Sequence, residues 1–189
     1  MKTLLPIALM LFLTGSCNYR NKNNDERAQP TRERNNRQLS RKDRQHDAKF
    51  AVAAVEGGMM EVQLADIALK NTKSSQVKEF AQTILDDHGK ANEELKLLAE
   101  KKDIILPISL NEKNKEKVIE LAQKKGNEFD KAYCNFMIDD HKADIEEFKK
   151  EAENGNDTEI KTWAAGRIQS LQSHLATAQS LDESVAKRD

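Results

Sequence analysis

The chain has 189 residues, of which 38% are hydrophobic and 33% charged, with a formal net charge of −1. Aromatic residues make up 5%, with 7 glycines and 3 prolines, whereas Ala, Leu, Lys, Glu and Gln abound. Strands favour β-branched and aromatic residues and need turn residues between them, so this composition argues against a β fold and predicts an all-α one. The near-neutral total hides an asymmetry. Asn18 to Asp47 carries nine basic against five acidic residues, which leaves the remainder acidic. A nucleic-acid binder needs its basic face on the folded part, so nucleic acid is excluded as a partner.

Residues 1–16 read as an export signal. Lys2 precedes an apolar run from Leu4 to Leu13, and Thr14-Gly15-Ser16 leads into Cys17. A basic start, an apolar stretch and small residues before a cut site define such a signal, and the run is too short for a bilayer, which takes about 20 residues. The Gly15-Ser16-Cys17 ending resembles the bacterial lipobox, in which the cysteine is acylated and becomes the mature N-terminus. Thr14 stands where the usual leucine would be, so ordinary cleavage to a freely soluble product is the alternative. Acylation at Cys17 implies stable attachment to a membrane. Asn18 is not the aspartate that resembles an inner-membrane retention signal, which points to the outer membrane. Residues 17–47 are almost free of apolar side chains and are expected to form a disordered basic tether. His46 falls in this stretch and receives no role.

Helical spacing starts at Phe50. Phe50, Ala54, Gly57, Glu61, Leu64 and Ala68 share one face. A break at Asn71–Ser75 precedes a second helix through Val77, Phe80, Ile84, His88 and Leu95. Pro107 lies in a non-helical stretch, Asn111 can cap a short helix from Glu112 to about Lys125, and Gly126 punctuates. A fourth helix carries Phe129, Tyr133, Met137, His141, Ile145 and Phe148. After a turn at Asn154–Asp157, the last carries Ile160, Ala164, Ile168, Leu171, His174 and Leu181. The expected domain is 48–183, followed by a tail, 184–189. Cys134 reads as a small buried apolar residue, and lipid on Cys17 would preclude a disulfide between the two cysteines.

Two short links make antiparallel helix pairs. The middle connection is long and holds its own helix, which at ~1.5 Å per residue can recross most of a bundle. A four-helix bundle with one long crossover containing a short fifth helix is the ferritin-like arrangement. An internal repeat agrees. Asp86-Asp87-His88 with Glu93-Glu94-Leu95 matches Asp139-Asp140-His141 with Glu146-Glu147-Phe148. The repeats flank the crossover, so they should lie on parallel helices at equal height.

Glu61, His88, His141 and His174 each sit near the middle of a different long helix, on or beside its apolar stripe. Four such groups can converge in the core, where imidazole plus carboxylate suits zinc or iron, and copper less specifically. The plain alternative is a hydrogen-bonded set involving Tyr133, Asp87 or Asp140. A diiron centre needs Glu-x-x-His steps, and the residues three before His88, His141 and His174 are Leu85, Ile138 and Leu171. Ferritin-type iron oxidation is therefore disfavoured. Asp87 and Asp140, each directly before a histidine, point about 100° away from it around the helix.

Phe50, Glu61-Val62, Val77-x-x-Phe80-Ala81, Asp87-His88, Phe129-Asp130-x-x-Tyr133, Asp140-His141 and His174-Leu175 resemble a bacterial family. It is often labelled "predicted outer membrane protein" and catalogued as domain of unknown function 4142. The resemblance covers about Ala48 to Leu181 and implies a ferritin-like fold and an envelope location, with no established activity. The expected protein is an envelope-anchored, non-catalytic helical domain holding a metal or small ligand at Glu61, His88, His141 and His174. A metal-dependent redox or storage enzyme and a protein-interaction module in envelope stress are the alternatives.

Overall fold

The computed structural model describes residues 31–187, with side chains from Gln45 onward. The expected signal segment and Cys17 lie outside the described residues. Among the described residues there are five α-helices and no strand. They are α1 (Thr31–Asn71), α2 (Ser75–Lys101), α3 (Glu112–Ala122), α4 (Gly126–Asn154) and α5 (Thr158–Ala186). The chain divides into two compact units, Met1–Gln38, of which residues 31–38 are described, and Leu39–Asp189.

Helix starts follow local chemistry. The first amides of a helix lack partners, and short polar side chains supply them. Asn111 Oδ1 accepts from the Asn114 amide at 2.9 Å. Asp157 Oδ1 accepts from the amides of Glu159 (3.0 Å) and Ile160 (3.1 Å), and Ser74 faces Val77 in the same way at 3.4 Å.

Two apolar clusters hold the four long helices together. At one pole, Leu64 and Ala68 near the end of α1 meet Val77 and Phe80 at the start of α2, Phe129 and Tyr133 at the start of α4, and Leu181 and Val185 at the end of α5. Near the other pole, Phe50 and Ala54 of α1 pack with Ile145 and Phe148 of α4 and with Ala164 and Leu171 of α5. Leu95 of α2 joins Ala51 and Val55 beside them. α1 and α5 thus run one way, and α2 and α4 the other. The crossover leaves α2 at the second pole and returns to the first, where Asn71 Nδ2 donates to the carbonyls of Ala122 and Lys124 at 3.2 and 3.0 Å. The two helices with the Asp-His repeat are parallel, as the topology requires. Cys134 is fully buried among the apolar residues of the first pole.

The folded region is longer than 48–183 at both ends. α1 begins at Thr31, inside the stretch expected to be an unstructured tether, and α5 runs to Ala186 with Val185 wholly buried. The sequence argument weighed apolar content. Extending an anchored helix, however, adds one hydrogen bond per residue without a new nucleation step. The stretch from Thr31 to Glu56 also contains neither glycine nor proline.

Asp47 supplies a further tie. Only 2% exposed, it accepts from the amides of Asn156 (3.0 Å) and Asp157 (2.7 Å), in the turn between α4 and α5. Burial pushes its carboxyl up, but those two amides and His46 outweigh this and hold it below the usual carboxylate range. His46 Nδ1 lies 3.4 Å from Asp47 Oδ1 and 3.3 Å from Glu151 Oε2. Glu151 is tucked under the same turn, where a Cβ on Gly155 would come within 2.7 Å of its carbonyl oxygen. Burial, then Asp47, pushes Glu151 up to about 7.

Asp47→Ala strands two partly buried amides, so it is expected to cost about 1–3 kcal/mol in urea unfolding. A chain starting at Ala48 should lose a similar amount. Unchanged midpoints in both would show that the domain ends where the apolar periodicity does.

Candidate metal centre

Between the two apolar clusters lies a polar layer. Glu61 on α1, His88 on α2, His141 on α4 and His174 on α5 all point into it, with exposures of 0, 8, 0 and 4%. The three imidazoles form a nearly equilateral triangle. Ring centroids are 5.5 Å apart for His88–His141, 5.4 Å for His88–His174 and 5.3 Å for His141–His174. One ring nitrogen of each lies within 4.8 Å of the other two. Tetrahedral zinc at ~2.0–2.1 Å would hold its nitrogens roughly 3.4 Å apart, a contraction within reach of small ring rotations. The equal height of His88 and His141 is what their parallel helices require.

The carboxylates flank this triangle. Glu61 Oε2 is 2.7 Å from His88 Nδ1 and its Oε1 is 3.2 Å from His141 Nδ1, but neither contact has the alignment of a hydrogen bond. His174 Nε2 is 2.9 Å from Asp87 Oδ2, with Ser170 Oγ at 3.2 Å from the same oxygen. A carboxylate accepts, so the His174 proton sits on Nε2 and the lone pair on Nδ1. Each ring thus turns one nitrogen toward a carboxylate. His88 Nε2, both nitrogens of His141 and His174 Nδ1 are buried with no hydrogen-bond partner, as are both Glu61 oxygens. Buried polar atoms are ordinarily satisfied, so a cluster of unsatisfied ones calls for a physical cause.

Electrostatics keep the imidazoles neutral. Burial, then His88 and His174, depresses His141 to about 3 against a small pull from the Met137 carbonyl. Burial also lowers His88, opposed by Asp144, Asp87 and Asp140, and lowers His174, opposed by Asp87. The same burial pushes Glu61 up to about 8. Neutral imidazole is the form that ligates metal.

The structure brings all four expected residues together but gives them different places. The imidazoles form one donor group; Glu61 touches two of them and forms a second group with Asp140 and Asp144. Asp144 escaped the sequence argument, although it stands three residues after His141 and so shares its face. The histidine-first order hid it from a search for Glu-x-x-His. Asp87 does point away from His88, and that rotation is what delivers it to His174 on α5. Burial, then Glu61, raises Asp140 to about 7 and raises Asp144 well above the carboxylate range. At an effective dielectric of 20, two charges about 4.8 Å apart repel by roughly 3.5 kcal/mol.

A cavity of about 110 Å³ reaches the layer between α2 and α5, lined by Asp87, His88, Asp144, Arg167, Ser170 and His174 among others. It has room for several waters. A second cavity, about 630 Å³ beside the crossover, is lined by Met59, Ile104 and Leu106 among others and touches none of the four residues.

Comparison with known proteins places the chain in a family. The description "Domain of unknown function (DUF4142)" matches residues 29–181. The chain belongs to this family. The match begins close to the start of α1 and takes in all four core residues. No curated protein and no solved structure matches the chain. Among the described residues no helix is long and apolar enough to cross a membrane.

Metal-free stability should depend on pH in two windows. Glu61 holds its proton in the folded chain up to about 8, against an ordinary value of 4.5, so stability falls as pH rises through that interval. His141 binds its proton only near 3 when folded, against 6.5, so its contribution is lost as pH drops below 6.5. Between pH 6.5 and 8 only the carboxylates act. There the metal-stripped chain should lose stability, by at most on the order of 1 kcal/mol per pH unit for Glu61. Glu61→Gln should lose less. Equal losses in parent and variant, read from urea midpoints at both pH values, would clear Glu61 of the effect.

Proposed function

We propose that this DUF4142 chain is a metal-binding helical domain whose centre is the His88, His141 and His174 triangle. The supporting observation is that each imidazole has one nitrogen near a carboxylate oxygen and another that is buried and without a hydrogen-bond partner, His141 lacking a partner at both. Histidine ligands of metals habitually donate their second nitrogen to a carboxylate, which sets tautomer and ring orientation. In this reading Glu61 orients His88 and His141 rather than binding the same ion, and Asp87 orients His174. Three imidazoles suit zinc, copper or iron, with zinc the simplest fit to a rigid three-nitrogen set. Three protein ligands leave a fourth position, and the cavity beside His88 and His174 offers it water. That open position favours, as a second reading, a metal-dependent enzyme over a purely structural ion.

The topology, with α1 and α5 opposed to α2 and α4 and one helix-bearing crossover, supports a ferritin-like four-helix bundle. The Gly15-Ser16-Cys17 ending supports a lipid anchor, and with Asn18 after it an outer-membrane lipoprotein. The domain would then work in the cell envelope.

Metal analysis of the purified chain tests the centre. About one zinc-class ion per chain is expected, with near-complete loss in His88→Ala and His141→Ala. Asp87→Asn should weaken binding about 10–100-fold. Occupancy unchanged in the histidine variants would remove the proposal. For the anchor, Cys17→Ala should abolish acyl labelling and release the protein from the membrane fraction; retention there without label would remove that claim.

A further inference from the structure

We propose that Glu61, Asp140 and Asp144 form a second, all-oxygen cation site beside the tri-histidine centre. Each of the three carboxylates has an oxygen within 4.8 Å of the others'. They converge from α1 and α4, two antiparallel helices. Proximity alone would mean little, because acidic residues cluster on many surfaces. Here Glu61 has no exposed surface, and both its oxygens lack a hydrogen-bond partner, as does the buried Asp140 Oδ2. The charges that bear most on Asp140 and Asp144 are those of neighbouring carboxylates and of His88, with no lysine or arginine among them. Three acid groups, Glu61 wholly buried and Asp140 and Asp144 partly so, are therefore gathered at one level of the bundle with no lysine or arginine among the charges that bear most on the two aspartates.

The donor set defines the chemical class. Three carboxylates without nitrogen or sulfur suit hard divalent cations such as Mn2+, Mg2+ or Ca2+. Such ions keep several waters, and two cavities border Asp144: that shared with His88 and one of about 370 Å³ that runs toward His46 and Glu151. Solvent-derived ligands can complete the shell from either. The contrast with the imidazole triangle gives the layer two unlike halves, one for a nitrogen-seeking ion and one for an oxygen-seeking ion. Glu61 belongs to both, as the acceptor facing two histidines and as a donor to the second cation. The site shares Glu61 with the tri-histidine centre but can fill without it.

The test is a Mn2+ titration of the full chain, metal-free and again with one equivalent of zinc, followed by electron paramagnetic resonance. One Mn2+ per chain is expected in both, and pulsed spectra should lack histidine nitrogen modulation. Asp144→Asn should weaken Mn2+ binding at least tenfold while leaving zinc occupancy at the histidines intact. Asp140→Asn serves the same purpose should the first variant fold poorly by circular dichroism. Absence of stoichiometric Mn2+, its displacement by the single zinc equivalent, nitrogen modulation on the bound ion, or parental affinity in a folded variant would each overturn the proposal. Zinc bound without Mn2+ sinks only this site; Mn2+ bound without zinc sinks only the tri-histidine reading.

Discussion

Glu61 sets the terms for the whole interior. A carboxyl with no exposed surface, in contact with two imidazoles, resides in a layer closed off by apolar clusters on both sides. Desolvation penalises charge of either sign, so one cause accounts for both halves of the electrostatics: the acid is driven toward neutrality and so are the bases. Without a cation the layer is most comfortable with Glu61 protonated and the rings uncharged. A divalent ion relieves both penalties together, since it binds neutral rings and lets the acid ionise beside it. The apolar poles are thus part of the site's chemistry. A wetter layer would leave the histidines partly protonated at mildly acidic pH and the carboxyls permanently charged.

The Asp-His repeat shows how one local pattern yields two roles. α2 and α4 run parallel, and His88 and His141 present themselves to the same centre at the same height. The aspartate before each is rotated about 100° around its helix. On α2 that rotation aims Asp87 at α5, where it holds His174 and remains half exposed. On α4 it brings Asp140 to Glu61 and Asp144. The neighbour, not the motif, decides whether the acid positions a base or joins a cluster of acids.

This distinction also explains what was legible in the sequence. Helices and their order follow from apolar spacing and from caps such as Asn111 and Asp157, all local properties. Glu61 and the three histidines stand out because a polar residue on an apolar stripe is visible in one helix alone. Asp87's partner and Asp144's company depend on which helix packs alongside, which spacing within one helix does not carry. The extent of α1 was missed for a related reason. Asp47 looks like one more polar residue in a polar run until the turn at Asn156 and Asp157, far along the chain, is laid over it.

The competing account of the layer is a self-contained hydrogen-bond network, and the identity of the unsatisfied atoms argues against it. Seven ionisable side chains, Glu61, Asp87, His88, Asp140, His141, Asp144 and His174, offer enough donors and acceptors to pair among themselves. His174 shows that pairing is geometrically attainable here, since its Nε2 is bonded to Asp87. The atoms left without partners include one nitrogen of each imidazole and the oxygens of the carboxylate that joins the two groups. A network that had evolved to satisfy itself would leave its gaps at the rim, where water can fill them. Unsatisfied atoms on buried side chains of four helices, brought together at one level, favour the proposed centre over a closed network.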